Sequence, residues 1–498
     1  MNKIKYITGV LAIGLFFQSC EIERFPAGNI ELSQSFQKVS DAGYWNTAVY
    51  SYLRGRSYGM YTSATDIQAD QLNASQDFGN RSGDEHRWTG FLSGNYTIRD
   101  IYQGYYSAIN NINTQLQGFD KITATTDAEK AQMNIYYGDA HLARAYYYLN
   151  LTLRFSKPYN AATAATDLAV PLLTVPDMEG KPSRGTVADA YKLILDDIAK
   201  AKTYLAGVKG KVGSTKFNID VVTALEARVK LYMNDFAGAK ESAAKLVDFG
   251  LYPLNNTQAA MNSMWYADNG SEIIFQIKVQ RPSEMPNQIA NYYGYSAGNK
   301  DYRPDFLPSK WVIDKYDAAD FRKSVFFKEV KVTMATVNVS ETAKIVNKFP
   351  GSTENGLNVD INTNYSTPKL FRIAEMYLIA AEASYRANPS NTADALKYLN
   401  ALRVSRGLPA LSGISGATLF NEIKDERFRE LAFEGFRLDD LKRWGEGFQR
   451  REPQSLNLVR VGDEYTTKKV EASDPKFIWG LPDNDISLNP NLVQNQGW

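Results

Sequence analysis

Cysteine is nearly absent: Cys20 is the only one in 498 residues, and histidine occurs twice, as His86 and His141. One thiol cannot close an intrachain disulfide or build a cysteine-rich zinc or iron–sulfur site. Two histidines leave no HExxH motif and no histidine cluster, so no metal site is expected. Neither GxGxxG nor GxxxxGK[ST] occurs, and nucleotide cofactors have no support. An excess of charge of one sign is also missing. With 56 Lys and Arg against 55 Asp and Glu the net charge is +1, whereas nucleic-acid binding needs a clustered basic surface. Long apolar runs are missing too. The stretch Ile7 to Phe17, at about 1.5 Å per residue, falls short of a hydrocarbon core of ~30 Å.

That stretch sits where an export signal belongs. Lys3 and Lys5 precede it, and Gln18-Ser19 leads into Cys20, which is the order of a bacterial leader. At the cleavage point Cys20 resembles the lipid-modified cysteine of bacterial lipoproteins, although Phe17 stands where such boxes usually carry Leu. Acyl chains on Cys20 would supply a membrane affinity that the rest of the chain lacks.

Aromatic residues are abundant, with 31 Tyr, 24 Phe and 7 Trp making 12%, so some are expected to face solvent or ligand. The periodic segments are helical. Asp139 to Phe155 spaces Leu142, Ala145, Tyr146 and Leu149 along one stripe, and Thr186 opens a second helix running to Leu205. Val222 to Gly250 reads as two helices broken at Asn234-Asp235, and Glu375 to Gly407 as another pair. Laying Leu225-Glu226-Ala227 on Ala381-Glu382-Ala383 brings both pairs nearly into register. The pattern resembles tetratricopeptide-type hairpins, which stack to bury faces they cannot bury alone. Phe327 to Asn364 contains alternating runs expected to form a short hairpin. The fold class is therefore mainly α, a scaffold of helical hairpins carrying long loops and a few short β-hairpins. Three regions are expected: the leader at 1–19, a helical-repeat region at 20–265, and a C-terminal region at 266–498.

Two long stretches, Asp70 to Asn95 and Arg281 to Pro308, mix turn formers with aromatics. Disordered segments are poor in aromatics, so these loops are expected to be ordered and functional. A pyranose ring packs a flat C–H patch on an aromatic face, while its hydroxyls need amide and carboxylate partners. The first loop offers Trp88 among Asn73, Gln76, Asp77, Asn80, Arg81 and Asp84. The second offers Tyr292, Tyr293, Tyr295 and Tyr302 among Asn287, Gln288, Asn291 and Asn299. Trp88, Tyr292, Tyr293, Tyr295, Asn73, Asp77, Arg81 and Asn291 are the expected ligand-binding residues, with Trp88 facing solvent. Trp265 is expected to be half-buried, Trp311 and Trp444 to serve packing, and His86 to sit within reach of a ligand.

Four blocks, Leu370 to Tyr385, Leu399 to Leu411, Ile423 to Gly445 and Trp479 to Trp498, resemble the SusD/RagB family in sequence and spacing. WNTAVYSYLRG, IYQGYYSAINNIN and GDAHLARAYYYLNLTLRF follow the same order in the N-terminal half. The resemblance implies an outer-membrane surface lipoprotein that captures glycans, or in some members peptides. It also implies a SusC-like TonB-dependent transporter as partner and a ligand face built from loops at about the two places named. Glu21 and Glu23 resemble the signal that sends such lipoproteins to the cell surface.

Carboxylates are the one catalytic resource in supply, since two suffice for glycoside hydrolysis. Asp425, Glu426, Glu430, Glu434, Asp439 and Asp440 crowd one segment, but Arg427, Arg429, Arg437, Lys442 and Arg443 are interleaved with them. Structural ion pairs are the expectation, with no catalytic residue. The favoured reading is a binding lipoprotein; a surface-polymer hydrolase and a ligand-free envelope scaffold are the alternatives.

Overall fold

The computed structural model describes residues 34–177, 179–279, 284, 289–296, 298–350 and 366–498. Cys20, Glu21, Glu23, Asn287 and Gln288, all named above, lie outside the described residues. The chain starts with α1 (Val39–Arg56) and α2 (Met60–Gln68), then β1 (Leu72–Ala74) and the short α3 (Gly83–Arg87). Long helices follow: α4 (Tyr96–Phe119), α5 (Asp127–Phe155), α6 (Val187–Tyr204), α7 (Ile219–Tyr232), α8 (Phe236–Phe249) and α9 (Gln258–Tyr266). Short strands come next, as β2 (Ile273–Gln276), β3 (Tyr295–Ser296), β4 (Asp301–Tyr302) and β5 (Phe306–Pro308). After α10 (Lys310–Asp314) and α11 (Arg322–Phe326), β6 (Phe327–Met334) and β7 (Val339–Val346) form a hairpin. β8 (Lys369–Arg372) leads into α12 (Ile373–Ala387), α13 (Thr392–Ser405), α14 (Gly416–Leu431) and α15 (Arg437–Trp444). The pair β9 (Phe448–Gln449) and β10 (Lys469–Val470) and the helix α16 (Asp483–Leu488) complete the described chain.

Local chemistry sets the helix ends. Thr126 and Glu129 close a capping box at the start of α5, and Thr186 and Asp189 do the same for α6. The break between α7 and α8 falls at Asn234, whose φ of 59° is left-handed, and Gly250 ends α8 at a φ of 73°. The two hairpins α7–α8 and α12–α13 pack on one another because small residues line the contact. Ala224, Ala227, Ala239, Ala243, Ala380, Ala381 and Ala383 are all buried there. One apolar core joins these helices to α1, α4, α5 and α6 and extends from Phe36 to Leu492. A second core lies beneath the strands and centres on Trp265, Phe306 and Phe327. Trp265 is fully buried rather than half-buried, because α9 turns it into this core. Trp311 stacks on Phe428 at 5.0 Å, the packing role expected of it.

The crowded carboxylates are spent on cations. Glu430, fully buried, meets Arg372 at 2.7 Å, Arg322 at 2.9 Å and Arg406 at 3.0 Å. Glu426 meets Arg322 and Arg429, Glu434 meets Lys348 and Arg372, and Asp440 meets Arg427 and Arg443. Burial pushes the carboxyls of Glu426, Glu430 and Glu434 upward, but the guanidinium charges outweigh it and hold all three below the usual range. They carry no proton to give near neutral pH.

Candidate ligand-binding face

Strand pairing brings the two long loops together. β1 lies antiparallel to β5 with Asn73 opposite Leu307. Segment 457–460 joins the other edge of β1, where Gln76 N donates to Leu458 O at 2.9 Å and Arg460 N to Ala74 O at 2.9 Å. Beyond the ends of these strands the chain turns outward, and the polar side chains gather there.

Asp77 accepts from the backbone N–H groups of Ala335 at 2.6 Å and Thr336 at 3.0 Å, capping the turn of the β6–β7 hairpin. Burial raises its carboxyl, yet these bonds together with the nearby Arg303 charge leave it below the usual range. Arg81 pairs with Asp305, its Nε donating at 2.6 Å, and its side chain remains 63% exposed. Asp301 and Arg303 complete the group at 3.7 Å from one another. The Oδ1 of Asp301 and the Nε of Arg303 are buried and have no hydrogen-bond partner among the described residues. Tyr295 is partly exposed, with its ring centroid 4.9 Å from that of Tyr302. Tyr96, 46% exposed, accepts from the Ser82 N–H at 3.1 Å. The loop beneath it is held in strain: Asn80 and Ser82 have φ of 61° and 51°, a conformation that non-glycine residues adopt at some cost.

Several expected residues lie elsewhere. Trp88 does not face solvent; it is 5% exposed, donates Nε1–H to Gln68 O at 2.7 Å and packs between Phe448 and Phe477. Its indole closes a small core with Leu438 and Leu441, for which a wide apolar ring is better suited than a polar loop's surface. Trp88→Ala is therefore expected to cost about 3 kcal/mol of stability, read as a lowered urea midpoint with ligand affinity unchanged in the protein that remains folded. Tyr292 and Tyr293 are also fully buried, the first with its hydroxyl facing Asp66 and the second accepting from Phe349 N at 3.0 Å. Asn73 is buried in the strand and accepts from the Ser309 hydroxyl at 2.7 Å. His86 is buried against Phe306 and the Ile67 carbonyl, and desolvation lowers its pKa, so it stays neutral and away from the face. Asn291 is partly exposed on the turn before β3. Of the expected set, Asp77 and Arg81 share the face; Tyr295, paired with Tyr302, lies on the other side of β3 and β4 and packs against the second core.

Sequence reasoning missed Tyr96, Asp301, Arg303, Asp305 and segment 457–460. The run Asp301-Tyr302-Arg303-Pro304-Asp305-Phe306 held a usable signal. At a strand period of two it puts the three charged residues on one side, and Tyr302 and Phe306 are buried on the other. The face combines three carboxylates, two guanidiniums and the exposed Tyr96 ring, nearly balanced in charge and already ordered.

Comparisons with known proteins agree with this architecture. A model described as SusD family matches residues 287–498, and one described as starch-binding, associating with outer membrane, matches residues 33–231. No curated protein matches. A SusD superfamily protein from Bacteroides thetaiotaomicron is 24% identical, with a TM-score of 0.76 over 92% of this chain and 99% of that one. A sugar-binding protein from Bacteroides vulgatus is 25% identical, with a TM-score of 0.75 over 93% and 99%. A SusD-like carbohydrate binding protein from the same species is 21% identical, with a TM-score of 0.75 over 92% and 98%. With two family models spanning most of its length and the same fold in these structures, the chain belongs to the SusD/RagB family.

Proposed function

We propose that this protein is a cell-surface lipoprotein that captures glycan on the loop face and passes it to a SusC-like TonB-dependent transporter. The observation that carries the reading is the preformed patch of Asp77, Arg81, Tyr96, Asp305 and Arg303, met in a chain whose family model is described as starch-binding. Paired aspartates and arginines offer acceptors and donors side by side, suited to neighbouring sugar hydroxyls, and the Tyr96 ring offers a stacking face. No described helix is long and apolar enough to cross a membrane, so passage inward falls to a partner.

The test is a glycan and peptide array followed by titration. Tyr96→Ala is expected to weaken the best hit by roughly tenfold, the loss of one stacked ring worth about 1–2 kcal/mol, and Arg81→Ala to weaken it as well, with little change in Tm. Affinity for a glycan that neither substitution alters would place the site elsewhere, and a peptide as the sole hit would replace the glycan reading.

A further inference from the structure

A cleft of about 1120 Å³ lies away from the loop face and shares no residue with it. Its walls are the segment after α5 at Lys157 to Leu168, the end of α15, the Asn234 turn, and the tail at Gln494 to Gln496. Phe477, which belongs to the buried cluster with Trp88, Leu438 and Leu441, stands in its wall.

The charges in the wall are already committed. Lys157 meets Asp167 at 2.6 Å, Lys442 meets Asp439 at 3.6 Å, and Arg443 meets Asp440 at 2.8 Å and also Glu382. Arg184 has no carboxylate partner, but its guanidinium is spent on the carbonyls of Phe155, Leu168, Ala169 and Val493 and on the Asn495 amide oxygen. No cation is left to hold an anion. What remains available is neutral. The Tyr159 ring is partly exposed, standing edge-on to Tyr191 at 5.3 Å, and its hydroxyl has no partner. The Asn234 amide donates to the Tyr159 carbonyl at 3.0 Å and keeps its oxygen free. Gln496 and Ser473 are exposed and make no side-chain hydrogen bond. An aromatic face ringed by amides and hydroxyls is the chemistry that recognises a neutral polyol, and the volume slightly exceeds the ~300–1,000 Å³ of ordinary ligand pockets.

We propose that this cleft is a second binding site, taking a neutral oligosaccharide of several rings on Tyr159, so that one glycan chain or two can be held at separate faces. The proposal rests on the reading of the chain as a glycan binder. Its test titrates neutral oligosaccharides cut from starch, cellulose, mannan and xylan into wild type and into Tyr159→Ala, Tyr159→Phe, Gln496→Ala and Tyr96→Ala. At least one of these sugars is expected to show two sites per chain. Tyr159→Ala should weaken one of them by roughly tenfold, Tyr159→Phe and Gln496→Ala by less, and Tyr96→Ala only the other. Gln496 packs against nothing it would unfold, so its variant keeps the test valid if Tyr159→Ala is unstable. A single site that the cleft variants leave unchanged overturns the proposal while the loop face stands. Binding of none of the sugars overturns both. Cleft variants that lose a co-purifying protein yet keep all glycan binding would make the cleft a protein-docking surface and also overturn it.

Discussion

Glu430→Gln is expected to cost about 3–5 kcal/mol, the range for breaking a buried charge pair by removing one partner. Most of a domain's margin disappears with a loss of that size. Glu430 is fully buried and faces three guanidiniums, those of Arg322, Arg372 and Arg406, each also fully buried. Neutralising it leaves these cations with Glu272, Glu426, Glu434 and Asp320 alone, in a site that water does not reach. Conservative in shape, the substitution isolates charge from volume. The measurement is a urea transition by circular dichroism; a midpoint within error of wild type would show that the remaining carboxylates of the lattice suffice to hold these cations. The same lattice sets an acid limit. The folded-state pKa values of Glu426, Glu430 and Glu434 are depressed, so the unfolded chain binds more protons as pH falls. Their contribution is complete above the unfolded value near ~4.3 and is lost as pH drops through the folded values. Glu272 is pushed the other way, by burial and by the Glu430 charge, and softens that loss in part. Glu430→Gln should therefore also flatten the acid arm of the stability curve.

The helical scaffold was legible because its signals are local. Caps such as Thr186, the break at Asn234-Asp235, the stop at Gly250 and the alanine register of the two hairpins are each read within one or two turns. The ion pairs of Glu426 to Asp440 were legible as a class, from interleaved charge, though their partners Arg322, Arg372 and Arg406 come from other segments. That the two long loops meet through β1 and β5 was suggested only by the family resemblance, and which aromatic faces outward was not legible, because both depend on contacts far away in sequence. Trp88 is buried by Phe448 and Phe477, and Tyr293 by Phe349, none of which its own loop reveals. Composition marks a loop as aromatic; only the tertiary partners decide whether a ring is core or platform.

Cys20→Ala is expected to release the protein from membranes completely while leaving its fold intact. Cys20 lies 16 residues before Phe36, which packs on Trp45 and Phe119. No described helix is long and apolar enough to cross a membrane; on the proposed reading attachment comes from acyl chains, each buried CH₂ contributing about 0.8 kcal/mol. Two or more chains on one cysteine make anchoring stable, whereas a bare thiol or a methyl group supplies almost none of that energy. In the native host, wild type should sediment with the outer membrane, be labelled by a protease or biotin reagent added to intact cells, and incorporate radiolabelled palmitate. The alanine variant should appear in the soluble fraction without label and with an unchanged Tm. Gentle detergent should recover a large β-barrel transporter with wild type. A variant that stays wholly with the membrane and still excludes label would end the lipoprotein reading, since the thiol would then be doing nothing that the rest of the chain does not. Loss of the label with retention at the membrane would instead show that the transporter holds the folded body directly, through surfaces other than the anchor.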